Sequence, residues 1–161
     1  IVLSRLIPVG GNRFDEAIIN KIKKDMNFVI GEKSAEAIKK NIASAYATDA
    51  QMDICGRNLV TGLPSEITVT GECVHEALAE LFQSIVDSIK IILERTPPEI
   101  SSDIYKSGLY LTGGSSRIQN LGQFIYDELG LKVNLCEEPE STVIMGLGAV
   151  IEDPQLAKLA L

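Results

Sequence analysis

The sequence predicts an α/β fold that carries a smaller α+β segment inserted into it. Short apolar runs, the first of them rich in β-branched residues, occupy residues 1–9, 109–111 and 131–135, as expected of buried strands. Between the first and second of these runs, residues 72–95 repeat apolar side chains at helical spacing. Residues 51–70 instead alternate apolar and polar side chains, which is typical of a small antiparallel pair of strands.

These patterns divide the chain into a layer and an insert. Residues 1–14 and 72–153 form a predicted strand–helix–strand layer. Residues 15–71, which hold two helices and the antiparallel strands, are predicted as the inserted subdomain. Residues 154–161 are predicted as a C-terminal tail.

Two amphipathic helices are predicted in the first half of the chain. The first follows the Gly10–Gly11 pair and buries Phe14, Ile18 and Ile22 at helical spacing. Gly31 breaks this pattern, and Ser34 is predicted as the N-cap of the second helix.

In the second half, prolines and glycines mark where the elements end. Pro97–Pro98 ends the long helix, because proline lacks an N–H donor and restricts the residue before it. A helix is predicted over residues 118–129 with Gly130 as its C-cap. The last helix is predicted to begin near Ser141, and the pair Gly146 and Gly148 within it indicates close packing or a bend.

Composition excludes several classes of protein. The 161 residues are 45% hydrophobic and carry a net charge of −7, so bulk attraction to nucleic acid or anionic lipid is not expected. Three cysteines without a C-x-x-C pair indicate buried thiols in a reducing compartment. The single histidine, His75, excludes a histidine metal cluster. The chain opens at Ile1 without a signal peptide, and we expect it to be a piece of a larger cytoplasmic protein.

The segment LYLTGGSSRIQNLG, residues 109–122, is the most informative local motif. A short strand meets the pair Gly113–Gly114 just before a predicted helix. Glycine allows positive φ and close approach of a ligand to the main chain, and a helix N-terminus favours nucleotide or phosphate. Taken alone, the motif favours a tight strand-to-helix connection that binds no ligand, and only the rest of the chain shifts the balance toward a ligand.

Several short stretches along the chain resemble the MreB family of bacterial actin homologues. They keep the order and approximate spacing of that family over nearly the whole chain: IPVGGNRFDEAII, GEKSAEAIK, IASAY, GRNLVTGLP, ERTPPE, LTGG and EEPESTV followed by Gly146-x-Gly148. The resemblance is to the C-terminal half of the family, subdomains IIA and IIB, with the possibility of a divergent paralogue.

The resemblance implies an actin-like ATPase lobe of the ribonuclease H-like class. In that family two lobes enclose ATP and Mg²⁺, and the protein assembles into filaments that organise cell shape and cell-wall synthesis at the inner membrane. The parent is expected in the cytoplasm, associated with the membrane. Self-association is expected to use the exposed surface of residues 33–70. No nucleic-acid partner is expected. The intact parent would hydrolyse ATP slowly, whereas this half alone would not.

Eight candidate ligand-contacting residues follow from the same resemblance. The glycine turn is expected to lie against the nucleoside, and one turn of the second helix is expected to line the adenine and ribose pocket. The candidates are Gly113, Gly114, Ser115, Ser116, Glu36, Ala37, Ile38 and Lys39. No catalytic or metal-binding residue is expected on this chain.

Two departures from the family pattern bear on nucleotide binding. Ser115 and Ser116 stand where a third glycine and an alanine are usual, and Leu147 stands where a small polar residue is usual. Three other interpretations stay open: a chaperone-like ATPase lobe, a degenerate relative that no longer binds nucleotide, and a stand-alone enzyme. The last lacks any residue pattern that would order a nucleophile.

Overall fold

A computed structural model describes residues 1–153 and residue 155. The described chain forms helices α1 to α6 and strands β1 to β5. The helices are α1 (Gly11–Met26), α2 (Glu32–Ile42), α3 (Gly71–Glu94), α4 (Pro98–Ser107), α5 (Leu121–Leu129) and α6 (Thr142–Glu152). The strands are β1 (Phe28–Val29), β2 (Gln51–Asn58), β3 (Pro64–Thr70), β4 (Leu109–Leu111) and β5 (Val133–Leu135), and a 3₁₀ turn spans Gly114–Arg117.

Helices α1, α2 and α3 pack together around one continuous hydrophobic core. Phe14 of α1 and Phe82 of α3 are both fully buried, with ring centroids 5.6 Å apart. Ile38 joins them from α2, and Ile125 joins from α5. Helix α1 runs without a break across residues 14 and 15, where the sequence patterns place a subdomain boundary, and α1 and α3 both contribute to the core.

The predicted antiparallel strands are confirmed, and they belong to a sheet of three strands. Strand β2 pairs with β3 in the register Ile54↔Ile67, and β1 adds to the other edge of β2 through Phe28↔Asn58. Of this sheet, Phe28 and Val69 are fully buried against the helices.

Strands β4 and β5 form a separate parallel pair. Their register is Leu109↔Val133 and Leu111↔Leu135. Helix α5 connects them, as a parallel crossover requires. The two strands bring the segment after β4 and the segment after β5 to one edge, where the glycine turn lies.

The strand predicted over residues 1–9 is wrong. These residues form no strand or helix, and the side chains of Ile1, Leu3 and Leu6 are exposed. A run of apolar residues becomes a strand only when a neighbouring strand accepts its backbone hydrogen bonds. Within the described residues, no strand lies beside this run.

Helix α2 begins earlier than predicted, and helix α4 was not predicted at all. Helix α2 has Gly31 as its N-cap, and Ser34 lies inside the first turn, where its N–H bonds to the Gly31 carbonyl. Helix α4 was not predicted, because Pro97–Pro98 was interpreted only as an end. Pro98 in fact occupies the first position of α4, where a missing N–H removes no helical hydrogen bond.

The last two helices also depart in detail. The predicted helix over 118–129 begins at Leu121, after the 3₁₀ turn, and ends as predicted with Gly130 in the left-handed region at φ 66°. Helix α6 begins after Ser141, as predicted. Close packing at Gly146 and Gly148 is wrong for the described residues, since a Cβ built on either would meet no atom within 4 Å.

The three thiols are all free, but only two are shielded from solvent. Cys73 and Cys136 are half-buried, whereas Cys55 is exposed, so the prediction of buried thiols fails at Cys55. Burial raises the pKa of the Cys73 thiol. The predicted tail, residues 154–161, lies outside the described residues apart from residue 155. None of the described helices is both long and apolar enough to cross a membrane.

Candidate functional site

The turn after β4 exposes bare main chain at Gly113. Its backbone angles, φ 85° and ψ 158°, lie in a region that only glycine adopts readily. A Cβ placed there would meet nothing within 4 Å, so the space above the turn is open. Gly114, the next residue, starts the 3₁₀ turn, and a Cβ there would touch Glu140 at 3.6 Å.

Contacts with the segment after β5 hold this turn in place. The Gly113 N–H donates to the Pro139 carbonyl at 2.6 Å. Arg117 binds both carboxylate oxygens of Glu140, with nitrogen–oxygen distances of 2.5 and 3.0 Å. The hydrogen bond from Arg117 lowers the pKa of the Glu140 carboxyl group. The turn is therefore fixed from outside while its Gly113 face stays open.

The two serines of the turn have different roles. Ser116 is buried, and its hydroxyl donates to the Gly113 carbonyl at 2.7 Å, so it stabilises the turn. Ser115 is half-buried, and its hydroxyl lies near the start of α1. Neither serine has a positive φ, so the departure from the family pattern imposes no backbone strain at these positions.

On α2, the two polar candidates point in different directions. Glu36 is exposed and pairs with Lys40, its carboxylate 2.7 Å from the Lys40 ammonium. That hydrogen bond lowers the pKa of Glu36. Lys39 instead turns toward α1, where its Nζ lies 2.8 Å from Asp15 Oδ2 and donates to the Gly11 carbonyl at 3.1 Å.

Gly11 is the point where the glycine turn and α2 come together. A Cβ on Gly11 would lie 3.4 Å from Lys39 Nζ and 3.8 Å from Ser115 Oγ. An ammonium group and a hydroxyl group therefore lie near Gly11, and the hydroxyl group belongs to the same turn as the open main chain of Gly113. We call the residues Gly11, Lys39, Gly113 and Ser115 the glycine corner.

The other helical candidates support this corner rather than line it. Ile38 is fully buried in the core, so its side chain fixes the position of α2. Ala37 is half-buried on the same helix. Sequence reasoning missed Gly11 and Asp15 as site residues, although the GG-x-x-FD pattern of residues 10–15 was the available signal.

The two described surface cavities lie beside other residues, and one of them borders Asp15. The larger, of about 310 Å³, is lined by Ala47, Thr48, Asp49, Gln51, Thr70 and Glu72. The smaller, of about 210 Å³, is lined by Asn12, Asp15, Glu16, Ile19 and Glu32. The open face of Gly113 is not an enclosed cavity, and neither described cavity is lined by it. Residues 1–153 and 155 contain no group of three or more His, Cys, Asp or Glu side chains arranged to hold a metal ion.

The family model and the curated relatives that match this chain belong to one family. A family model described as MreB/Mbl protein matches residues 1–159. The cell shape-determining protein MreB of Escherichia coli K12 is 40% identical over 154 residues, covering 94% of this chain and 44% of that protein. The cell shape-determining protein Mbl of Bacillus subtilis 168 is 40% identical over 155 residues, covering 95% of this chain and 46% of that protein. The chain thus spans about half the length of these curated relatives.

Solved structures agree with the sequence comparison. MreB5 of Spiroplasma citri bound to ADP matches with a TM-score of 0.89 and 36% identity, over 93% of this chain and 46% of that one. The AMPPNP-bound structure of the same protein matches with a TM-score of 0.90 and 34% identity, over 99% and 48% of the two chains. A MamK double helical filament matches at 24% identity and a TM-score of 0.69, covering 81% of this chain and 41% of that one, which supports the fold alone.

Proposed function

Since the chain belongs to the MreB/Mbl family of actin-like cell shape-determining proteins, we propose that it is the nucleoside-binding half of an ATP-dependent filament protein. The predicted actin-like fold is confirmed by the match to MreB5. The chain covers less than half of that structure, so the activity assigned to the whole protein is part of the proposal.

The observation that carries this proposal is the open main chain at Gly113. A glycine with φ 85° and no atom within 4 Å of its Cβ position leaves room for a flat ring to lie against the backbone. Ser116 and Pro139 stabilise the turn from beneath and from outside, so the open face needs no rearrangement to receive a ligand. The proposed ligand is the adenosine part of ATP.

The remaining members of the glycine corner supply polar groups at the edge of the same space. The Ser115 hydroxyl can donate to or accept from a ribose hydroxyl, and the Lys39 ammonium can donate to a ring nitrogen or ribose oxygen. Gly114 and Ala37 complete the proposed set, together with Glu36, whose carboxylate would have to leave its pair with Lys40 to reach the nucleoside. None of the residues named here is proposed to contact the phosphates. Mg²⁺ is usually bound through the phosphate oxygens themselves.

The inserted hairpin supports the self-association part of the proposal. Side chains at the tip between β2 and β3 are apolar and exposed, namely Leu59, Val60 and Leu63 at 42%, 79% and 65%. The tip is held rigid by its own hydrogen bonds, because Asn58 Oδ1 accepts from the N–H groups of Val60 and Thr61. A rigid apolar projection within residues 33–70 suits a repeated contact between subunits.

Family membership supports two further parts of the proposal. The protein as encoded would organise cell-wall synthesis by meeting its machinery at the inner membrane, from the cytoplasmic side. It would also hydrolyse ATP slowly, with assembly and hydrolysis coupled. Phosphoryl transfer needs the γ-phosphate, a metal ion and a water molecule held together, and none of the residues proposed here holds the phosphates, so this half alone is expected to show no ATPase activity.

Nucleotide binding and assembly can be tested together on the protein as encoded, including any residues on either side of this chain. ADP and ATP binding is measured by calorimetry with Mg²⁺, and assembly by pelleting and electron microscopy with and without ATP. The expected result is binding of both nucleotides and filaments that depend on ATP. Calorimetry that detects neither nucleotide, with a protein that stays monomeric, would instead identify a degenerate relative that keeps the fold without the ligand.

A further inference from the structure

Asp15 is the residue that fixes the ammonium group of the glycine corner. Its Oδ2 lies 2.8 Å from Lys39 Nζ, and the two side chains are only 14% and 13% exposed. The other carboxylate oxygen, Oδ1, is buried and has no hydrogen-bond partner among the described residues. Among the described residues, Lys39 is therefore the hydrogen-bond donor that the Asp15 carboxylate meets.

We propose that Asp15 is a positioning residue for nucleotide binding, which acts by holding the Lys39 ammonium group against the Gly11 carbonyl at the glycine corner. This inference rests on the proposed function, because it assigns a role to Asp15 at the same corner. Lysine carries three N–H donors. One goes to Asp15 and one to the Gly11 carbonyl, which leaves one donor for an acceptor atom of the nucleoside.

The chain contains a direct contrast to this arrangement. Lys40, the next residue on α2, pairs with Glu36 one turn away, and both side chains are largely exposed. Such a pair leaves its lysine free to rotate into solvent. A long lysine side chain loses much rotational freedom when it is fixed, and Lys39 has already lost it before a ligand arrives. Preorganisation by Asp15 is therefore expected to appear as tighter nucleotide binding.

A purely structural role for the pair predicts something different. If the ion pair only joins α1 to α2, its loss reduces affinity through general loosening alone, so a variant that breaks a different ion pair between α1 and another helix should reduce affinity to a similar extent. If Asp15 acts through Lys39, replacing Asp15 has no further effect on affinity once Lys39 is gone. A double-mutant cycle tests whether Asp15 acts through Lys39, and a control variant that breaks a different ion pair of α1 tests whether general loosening explains the loss.

The cycle uses four forms of the protein as encoded: the wild type, Asp15→Asn, Lys39→Met and the double variant. Dissociation constants for ADP and ATP are measured with Mg²⁺, and the thermal midpoint is measured without nucleotide. Glu76→Gln is the matched control, because Glu76 also joins α1 to another helix, through Lys21 at 2.8 Å.

Lys39→Met is expected to weaken ADP binding about 10-fold, as for the loss of one hydrogen bond from a charged donor. Asp15→Asn is expected to weaken it about 3- to 10-fold, because the amide keeps the shape of the carboxylate but not its charge. The double variant is expected to bind within about 2-fold of Lys39→Met, and Glu76→Gln like the wild type.

The outcomes that would overturn the inference are distinct from failure of the proposed function. If the wild type binds ADP but Asp15→Asn binds equally well, or if the two losses multiply in the double variant, Asp15 is not a positioning residue. If the wild type binds no nucleotide, the proposed function fails and the inference fails with it. Should Asp15→Asn not fold, Asp15→Glu keeps the charge and is expected to stay within about 3-fold of the wild type. A loss at Asp15→Glu as large as that at Lys39→Met contradicts the inference.

Discussion

Replacing Gly113 by alanine should both destabilise the protein and weaken nucleotide binding. The backbone at Gly113, φ 85° and ψ 158°, is strained for any residue with a Cβ, and such strain costs on the order of 1–3 kcal/mol. No atom lies within 4 Å of the new Cβ, so no steric clash adds to this cost. For a chain of this size, each kcal/mol lowers the Tm by about 2–4 °C, which gives a fall of roughly 2–12 °C.

The new methyl group would also occupy the space proposed for the nucleoside. Overpacking of a fitted contact costs about 1–3 kcal/mol, which corresponds to a loss of about 5- to 150-fold in ADP affinity. Gly130→Ala is the matched control, because Gly130 has φ 66°, caps α5 and likewise has no atom within 4 Å of its Cβ position. The control should lose stability through backbone strain and keep its affinity.

The assay combines thermal unfolding followed by circular dichroism with calorimetric titration of ADP into each variant. Titration is done well below the lowest Tm, so that both variants are folded when affinity is compared. If Gly113→Ala is as stable as the wild type, the assignment of strain at this turn is wrong. If both variants lose affinity equally, the loss comes from general destabilisation and Gly113 does not face the ligand.

Three further changes test other parts of the structure. Phe82→Ala should lower the free energy of unfolding by about 3–5 kcal/mol in denaturant titration, because it empties the centre of the core, and a loss below about 1 kcal/mol would contradict that position. Ser116→Ala should cost about 1 kcal/mol, since it removes the donor to the Gly113 carbonyl; an unchanged Tm would mean the turn does not depend on that bond. Asp127 accepts a hydrogen bond from Tyr46 and raises its pKa from 10.0 to about 12. This bond stabilises the fold below pH 10, and its contribution is lost as the pH rises toward 12. Asp127→Asn should therefore move the phenolate transition seen in ultraviolet absorbance to lower pH, and an unmoved transition would argue against the Tyr46 bond.

Sequence periodicity was sufficient where an element buries its own apolar face. Helices α1 and α3 and the β2–β3 pair follow directly from the spacing of their buried residues, because burial and period are the same physical signal. The same reasoning failed for residues 1–9, where the apolar pattern is present and the partner strand is absent from the described residues. It also missed α4, since Pro98 is equally suited to ending one helix and to beginning the next.

The candidate site was predictable in part. The pair Gly113–Gly114 could be found because a strand, two glycines and a helix form a local pattern. Lys39 was named as a candidate through the family resemblance, but its ion-pair partner Asp15 lies 24 residues earlier in sequence and meets it only when α1 packs on α2. A long-range ion pair of this kind leaves no periodic trace, so only the folded arrangement reveals it.

The outward face of α6 has a practical consequence for work with this chain in isolation. Large apolar side chains there point into water, with Val143, Ile144 and Ile151 at 67%, 70% and 84% exposure. An exposed apolar surface of this kind binds detergents, hydrophobic dyes and other copies of the molecule. We therefore expect that light scattering which rises steeply with concentration reports self-association through these side chains. Polar substitutions at these positions should reduce the self-association and give monodisperse samples.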